Sequence, residues 1–277
     1  MYVGMLTAPL QSKNIFELID FAEIANIKGL EVSTYPGSKH LDPLRTEYRL
    51  VKEIRSKLEE KGRLISSLAY YDCGITEPKK SRKVQEIASK VIDLANSLGV
   101  EVVCMLSGFP IRGLSKIQTI RDYLPGCFNP IVKYARKKRV KIAIENWYMT
   151  NLQGLDTFEE MFKVIPDENF GLNFDPSHLV HQECDYLLAV KSFRDRIFHT
   201  HAKDTYIDED LKKKVGVYSE GWWRYVLPGF GIVRWGEYIS CLKHCGYDGV
   251  LSIEHEDSSQ PLEEGFLKAA WFLEPYC

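Results

Sequence analysis

Short apolar segments alternate with longer amphipathic segments along the whole chain. The amphipathic segments, such as FELIDFAEIANIKG, VQEIASKVIDLANSLG and WGEYISCLKHCG, repeat apolar residues at helical spacing and end at a glycine, the residue favoured just after a helix. The short segments have the length and apolar content of buried strands. The pattern therefore predicts eight strands, each followed by a helical segment, at 2–7, 30–35, 64–71, 101–107, 141–147, 170–175, 197–204 and 249–256.

Eight such units can form either a closed barrel or an open doubly wound sheet. Dinucleotide-binding sheets carry a glycine-rich turn after the first strand, but the first turn here, TAPLQSKN, contains no glycine. The even spacing and the number of units favour an α/β fold of the (β/α)8 TIM-barrel type. No Pro-, Gly- or Ser-rich linker interrupts the pattern, so we expect residues 1–277 to form a single domain with a long lid-like loop at 205–234.

The composition excludes some classes of function without selecting one. The formal net charge of −2 gives no basic excess for binding nucleic acid. No apolar run approaches the roughly 18 residues of a membrane span, and the N-terminus lacks the pattern of a signal peptide. The seven cysteines form no CxxC pair, which fits a reduced protein. We therefore expect a cytoplasmic protein with a small-molecule substrate, no nucleic-acid or membrane partner, and a possible homo-oligomeric state.

Ionisable residues occur near the ends of the last four predicted strands. Alternate side chains of a barrel strand face its interior, and directing the apolar ones, Phe198 among them, toward the helices brings four ionisable side chains together at the barrel mouth. These are Glu145, Asp175, His201 and Glu254. A single inward Glu or His is usually a hydrogen-bonded structural residue, but four at successive strand ends favour one shared divalent ion. We expect Mn²⁺, with Mg²⁺, Co²⁺ or Zn²⁺ as alternatives.

Five sequence segments around these residues resemble the xylose-isomerase-like barrel superfamily. They are AIENW, NFDPSHL, HTHAKDT, LPGFGIVRW and GYDGVLSIEHED. The resemblance is to the sugar phosphate isomerase/epimerase group, which includes ketose 3-epimerases and inosose-processing enzymes. It implies that the four inward residues are the metal ligands and that His178 lies near the substrate.

A related group with the same fold, the endonuclease-IV-type DNA repair enzymes, uses a three-metal cluster. Those enzymes need additional histidines after the second and third strands and an Asp-x-His pair after the seventh. The corresponding segments here are VSTYPGS, AYYDCG and DTYIDEDLKKKV, which lack these ligands. The sequence therefore argues against a nuclease.

The resemblance implies proton transfer next to a carbonyl, and two carboxylates beside a metal permit it. We expect Glu145 and Glu254 to act as paired acid and base through an enediolate, in an isomerase or epimerase of a sugar-like polyol or ketose. The alternative within the same chemistry is a dehydratase or lyase of a keto-polyol or an oxidised glycoside. An alternative from another class is a non-catalytic sugar-binding barrel or a subunit of a larger complex.

Other residues near the strand ends are candidates for binding the substrate. Lys203 would bind an anionic group or a developing oxyanion, or else form a structural ion pair with Asp204 or a neighbour. Glu31 and His199 also face inward in the prediction, and we expect them to support the site or pack in the interior. The predicted substrate contacts are His178, Lys203, Arg224, Trp147 and Tyr70.

Overall fold

Eight parallel strands close into a barrel in the computed structural model, which describes residues 1–277. Each strand pairs with its neighbours in chain order, and the last strand closes the barrel against the first. The prediction of a (β/α)8 barrel is therefore confirmed. The barrel strands are β1 (Tyr2–Leu6), β2 (Gly29–Ser33), β3 (Leu64–Tyr70), β4 (Val102–Leu106), β5 (Lys141–Glu145), β6 (Phe170–Phe174), β7 (Ile197–Ala202) and β10 (Val250–Ile253).

Eleven α-helices lie between and beside the strands. Their ends follow local sequence signals: Asn14 and Glu17 form a reciprocal capping box at the start of the first helix, and Gly62 ends the second in a left-handed conformation. None of the helices combines the length and the apolar character that a membrane crossing requires. The helices are α1 (Ile15–Ile24), α2 (Tyr48–Lys61), α3 (Ser81–Leu98), α4 (Lys116–Asp122), α5 (Leu124–Lys137), α6 (Leu155–Val164), α7 (Ser177–Val180), α8 (Tyr186–Ser192), α9 (Glu209–Val215), α10 (Trp235–His244) and α11 (Leu262–Leu273).

The segment after β7 contains regular structure that the sequence analysis did not predict. Two short strands, β8 (Asp204–Ile207) and β9 (Trp223–Val226), pair in antiparallel fashion outside the barrel sheet. Helix α9 lies between them. We call β8 and β9 the hairpin. The predicted lid-like loop at 205–234 thus includes most of a two-stranded sheet and a helix, and its mobility stays a prediction.

The strand prediction fails in one detail on β7. Phe198 packs with Val102, Cys104 and Ala143, which form a small cluster separate from the main core between barrel and helices. The pairing of β6 with β7 shifts by one residue between Leu172 and Asn173, so two consecutive side chains of β7 are accommodated inside the barrel. Gly171 makes room for this because a Cβ at that position would collide with the Phe198 ring. Phe198 therefore faces the interior, not the helices as predicted.

Candidate metal centre and active site

The four residues predicted to face the barrel mouth lie together at its C-terminal end. Glu145 is the last residue of β5, Asp175 follows β6, His201 is in β7, and Glu254 follows β10. Nδ1 of His201 lies 3.1 Å from Oε2 of Glu254, 3.3 Å from Oε1 of Glu145 and 3.7 Å from Oδ2 of Asp175. All four side chains are buried. Four separate strands therefore bring three carboxylates and one imidazole nitrogen to one point.

A fourth carboxylate, that of Glu31, fixes the orientation of the His201 ring from the barrel interior. Oε2 of Glu31 lies 3.0 Å from Nε2 of His201 and accepts a hydrogen bond of 2.7 Å from the Ser252 hydroxyl. Tyr71 donates to the other oxygen. Burial alone would raise the pKa of Glu31, but the charges of His201 and His199 and the hydrogen bonds from His201 and Tyr71 lower it to about 2. An ionised Glu31 favours the proton on Nε2 of His201, which leaves the Nδ1 lone pair of a neutral ring facing the three carboxylates.

Two atoms of this cluster test whether a metal ion fits. Nδ1 of His201 and Oδ2 of Asp175 are fully buried and make no hydrogen bond. A lone pair directed at carboxylate oxygens is unfavourable unless a cation lies between them. Two ligands bound at right angles, about 2.1 Å from one ion, lie about 3 Å apart, close to the distances found here. The donor set of three carboxylates and one imidazole therefore fits a divalent ion.

In the metal-free protein a proton on His201 satisfies the same requirement. Burial disfavours the charged imidazole, but Glu31, Glu254 and Glu145 outweigh this effect and raise the pKa of His201 well above its usual value. The carboxylates of the cluster thus stabilise a positive charge at this position. A metal ion would supply it while leaving the imidazole neutral.

Lys203 lies at the edge of the cluster, and its side chain is almost completely buried. Its ammonium Nζ lies 2.6 Å from Glu254, 2.9 Å from Glu256 and 3.3 Å from Asp175. Of the predicted alternative, an ion pair with Asp204 or a neighbour, the pair with Asp204 is not found because that carboxylate faces the opposite side, whereas pairs with Glu254 and Glu256 are present. One buried ammonium offsets only part of the negative charge of these carboxylates, which favours a further cation at the cluster.

Asp204 instead binds the segment that follows the hairpin. Its carboxylate accepts hydrogen bonds from the backbone N–H groups of Gly229 (3.0 Å) and Val233 (2.9 Å) and from the indole Nε1 of Trp235 (2.8 Å). Residues 203 and 204 therefore connect the cavity floor to the loop above it.

His178 approaches the cluster from α7. Its Nε2 lies 3.4 Å from Glu145 and 3.6 Å from Asp175, and one atom from each of Glu145, Asp175, His178 and Glu254 fits within 4.8 Å of the others. However, its Nδ1 already contacts the Tyr225 hydroxyl at 2.6 Å, and Lys203 lies 3.3 Å from Nε2. His201, whose Nδ1 has no partner, is therefore the better candidate ligand.

A second group of potential ligands lies deeper in the barrel and includes Glu31, His199 and His201. His199 bonds Asn173 through Nδ1 at 2.9 Å and Ser67 through Nε2 at 3.2 Å. Burial lowers the pKa of His199 to about 4. Since the ring nitrogens of His199 and the carboxylate of Glu31 already have partners, this group supports the upper cluster, in agreement with the expectation for Glu31 and His199.

A cavity of about 430 Å³ opens above the cluster. Its walls combine aromatic side chains with carboxylates, an ammonium and an imidazole, a mixture that suits a small molecule with both hydroxyl groups and C–H faces. The lining residues are Tyr71, Leu106, Glu145, Trp147, Tyr148, His178, Lys203, Tyr225, Glu254 and Glu256.

Three of the five predicted substrate contacts line this cavity: His178, Lys203 and Trp147. Tyr70 does not, because alternation along β3 directs Tyr71 inward and Tyr70 toward the helices, where its hydroxyl bonds Asp72 at 3.2 Å. Arg224 does not line it either. Its side chain is half exposed, and its guanidinium pairs with Asp257 at 3.0 Å.

Apart from Tyr71, the neighbour of the predicted Tyr70, four residues of the lining are not among the predicted site residues: Leu106, Tyr148, Tyr225 and Glu256. A signal existed for two of them. Glu256 lies two residues after Glu254 and so shares its side of the chain. Tyr225 lies two residues after Trp223 and so shares its face of β9. This can be predicted only once β8 and β9 are recognised as paired strands.

Known protein families give one clear match. Residues 19–276 match the family model described as xylose isomerase-like TIM barrel. Among curated proteins, YfiH of Bacillus subtilis, described as uncharacterized, is 27% identical, with 96% of each chain covered. An inosose dehydratase of Clostridium perfringens is 24% identical, covering 92% of this chain and 88% of its own.

Solved structures show the same fold at low sequence identity. AsbF of Bacillus anthracis, a probable 3-DHS dehydratase, superimposes with a TM-score of 0.81 at 18% identity over 99% of both chains. YcjR of E. coli, a 3-keto-D-glucoside 4-epimerase, gives 0.77 at 13% identity over 99% of both chains. An IOLI protein with a bound zinc atom gives 0.75 at 17% identity, over 100% of this chain and 98% of that one.

Proposed function

This chain belongs to the xylose isomerase-like TIM barrel family, and we propose that it is a divalent-metal-dependent isomerase or epimerase. In this proposal its substrate is a small ketose or keto-polyol, and the reaction moves a proton at a carbon next to a carbonyl. Family membership alone does not select this reaction, because the solved relatives include both dehydratases and epimerases.

One observation carries the proposal. The unpartnered Nδ1 of His201 faces three carboxylates on the floor of a cavity with polar and aromatic walls. Glu145, Asp175, His201 and Glu254 would hold the ion, and the IOLI protein, which has the same fold, contains a bound zinc atom. A divalent ion bound there supplies Lewis acidity, which polarises a carbonyl and acidifies the neighbouring C–H. Mn²⁺ is the ion we propose.

Glu145 and Glu254 are the proposed acid–base pair. Glu145 ends β5 and Glu254 follows β10, and these strands are not adjacent in the barrel, so the two carboxylates can approach a substrate from different sides. One carboxylate accepts the proton from the carbon next to the carbonyl. The other, in its acid form, returns a proton to the opposite face of that carbon in an epimerase, or one of them returns it to the neighbouring carbon in an isomerase.

The remaining lining residues would bind and orient the substrate. The Lys203 ammonium can donate a charge-assisted hydrogen bond to the oxygen on which negative charge develops. His178 can hydrogen-bond a hydroxyl group, and the rings of Trp147 and Tyr148 can pack on C–H faces of a sugar. The cavity volume of about 430 Å³ suits a single small substrate.

A dehydratase is the second candidate, and one observation favours it. The relative in Clostridium perfringens, which covers 92% of this chain, is named an inosose dehydratase. In this reaction a glutamate accepts the proton next to the carbonyl, the C–O bond at the adjacent carbon breaks, and the departing hydroxyl takes a proton and leaves as water. The Lys203 ammonium, 2.6 Å from Glu254, is the group placed to donate that proton.

Deuterium exchange distinguishes these functions. The Mn²⁺-loaded protein is incubated in D₂O with ketohexoses, inososes and 3-keto-glucosides, and the products are examined by NMR and mass spectrometry. Deuterium at a carbon next to the carbonyl with all hydroxyls retained supports the isomerase or epimerase, whereas loss of water supports the dehydratase. A protein that binds the metal and a sugar but exchanges no C–H bond is a binding protein, and the proposal is then wrong.

A further inference from the structure

Tyr225 reaches the active-site cavity from outside the barrel. It lies on β9 of the hairpin, lines the cavity and places its hydroxyl oxygen 2.6 Å from Nδ1 of His178. His178 is one of the residues to which the proposed function assigns a substrate contact, so this inference rests on that function.

The other nitrogen of the His178 ring faces the reacting end of the cavity. Nε2 lies 3.4 Å from Glu145 and 3.3 Å from Lys203. The contact at Nδ1 therefore determines both where Nε2 is directed and, because a neutral imidazole has one N–H, whether Nε2 donates or accepts.

Neighbouring groups indicate which nitrogen holds the proton. The Tyr225 hydroxyl has one other nearby acceptor, Nε2 of His181, at the long distance of 3.5 Å, so its proton is best used on Nδ1 of His178. Lys203 donates to Glu254 and Glu256, and its third proton has two candidate acceptors at 3.3 Å, Nε2 of His178 and Oδ2 of Asp175. The ionised carboxylate is the stronger acceptor, so Lys203 does not need Nε2 as an acceptor. Burial raises the pKa of Tyr225, which keeps the phenol protonated. Nε2 of His178 then holds the N–H and donates toward Glu145 or toward a substrate oxygen.

The hairpin makes a second contact with the same helical segment. Trp223 and Tyr225 share one face of β9, because side chains alternate along a strand. His178 and His181 are three residues apart and share one face of the α7 turn. The Trp223 ring stacks on His181 with centroids 3.9 Å apart and planes inclined by 4°. These two side-chain contacts thus fix β9 against the residues that follow β6.

We propose that Tyr225 is a positioning residue for His178, holding the imidazole with its Nε2–H directed at the substrate while the hairpin is docked. The hairpin therefore contributes the residue that determines which nitrogen of His178 holds the proton in the cavity. Without the hydroxyl, His178 would sample both tautomers and other ring orientations, and substrate would bind with similar affinity but react more slowly.

The test compares Tyr225→Phe with Tyr206→Phe, which removes a hydroxyl from an exposed residue of the same hairpin. Long-range ¹H–¹⁵N spectra of the Zn²⁺-loaded protein report the tautomer of each histidine, and His178→Gln assigns the His178 signals. We expect the Nε2–H tautomer in the unmodified protein and in Tyr206→Phe, and a tautomer mixture in Tyr225→Phe. Metal content should be equal in all three.

Kinetics supply the second readout. With a substrate found by deuterium exchange, Tyr225→Phe should lower kcat by about 10–100-fold, the usual effect of removing a residue that orients a site group, while KM stays within a small factor. A pure Nε2–H signal in Tyr225→Phe overturns the inference, as does a pure Nδ1–H signal in the unmodified protein. If no substrate is ever turned over, the proposed function fails, but the imidazole signals still decide the role of Tyr225.

Discussion

At the scale of single residues, the His201 imidazole connects the two layers of the site. Its Nε2 faces the buried carboxylate of Glu31, and its Nδ1 faces the carboxylates of the cavity floor. Glu31 in turn accepts from Ser252 and Tyr71, so the ring orientation depends on side chains from β2, β10 and the end of β3. The affinity for a metal should therefore depend on residues that would never touch it.

Replacing Glu31 by Gln tests this dependence. The amide keeps the side-chain volume but cannot hold the negative charge that fixes the His201 tautomer. We expect the affinity for Mn²⁺ or Zn²⁺ to fall by about 10–100-fold, as measured by competition with a chelator. Glu256→Gln, which alters a carboxylate of the cavity wall outside the four-residue cluster, is the control and should change the affinity little. A folded Glu31→Gln protein with unchanged affinity would remove Glu31 from this role.

The proposed acid–base pair predicts an asymmetric effect on exchange. Glu145→Gln and Glu254→Gln keep an oxygen ligand but remove the basic carboxylate, so turnover should fall by about 10²–10⁴-fold while some metal remains bound. In an epimerase, each variant should fail to exchange the C–H bond of one epimer and retain exchange of the other, which NMR in D₂O detects. If both variants lose the metal completely, the two glutamates are ligands only and the base lies elsewhere.

Alternation along the strands is why the site residues could be found without a structure. The outward positions of β5, β6 and β10 are regularly apolar. The inward orientation of Glu145, Asp175 and Glu254 therefore follows from the two-residue period of side chains along a strand. The same rule failed where pairing shifts, since it placed Phe198 outside the barrel. On β3 the same rule favours Tyr71, which lines the cavity, over the predicted contact Tyr70, which does not.

At the scale of elements, the hairpin is the part of the molecule that the sequence analysis described least well. Its strands have only four residues each, and a helix and an exposed turn separate them, so no turn signal links them. What holds β9 in place is contact with other elements: Trp223 with His181, Tyr225 with His178 and Arg224 with Asp257. Contacts between residues that are far apart in sequence cannot be recognised from the pattern of apolar and polar residues within one segment.

Arg224→Ala should loosen the hairpin without altering substrate charge preference. Arg224 is half exposed, and the buried Asp257 keeps its hydrogen bonds from Ser259 and Leu227, so loss of the pair should cost at most about 1 kcal/mol. We expect faster amide hydrogen exchange in β8 and β9, unchanged exchange in the barrel strands, and similar changes in kcat/KM for neutral and anionic substrates. A loss confined to anionic substrates would show that Arg224 reaches the cavity during turnover.

At the scale of the whole molecule, the alternation of apolar and amphipathic segments was sufficient to predict the barrel. All eight predicted strands are present, and the closing pair of β1 with β10 joins the two ends of the chain. The barrel was predictable because its pattern repeats eight times and each unit is local. The aromatic walls of the cavity were less predictable, since they come from connecting segments whose paths depend on tertiary packing.

Metal binding should stabilise the entire barrel, because the four candidate ligands come from β5, β6, β7 and β10 or the residues just after them. An ion at 100 times its Kd adds about 2.7 kcal/mol to the free energy of unfolding, which corresponds to a rise in Tm of about 5–10 °C for a chain of this size. Differential scanning calorimetry with added Mn²⁺ or with a chelator measures this rise. Asp175→Asn should keep the fold and lose the rise, and an equal rise in that variant would exclude Asp175 as a ligand.

The end of β7 has a consequence for how proteins of this kind can diverge. Lys203 faces the carboxylates of the cavity and Asp204 faces the N–H groups of the following loop. Inserting or deleting one residue just before them would exchange their sides, placing a carboxylate among carboxylates and an ammonium among N–H donors. Length changes here should therefore be eliminated by selection, whereas the exposed tip of the hairpin segment, residues 216–221, can lengthen or shorten at little cost.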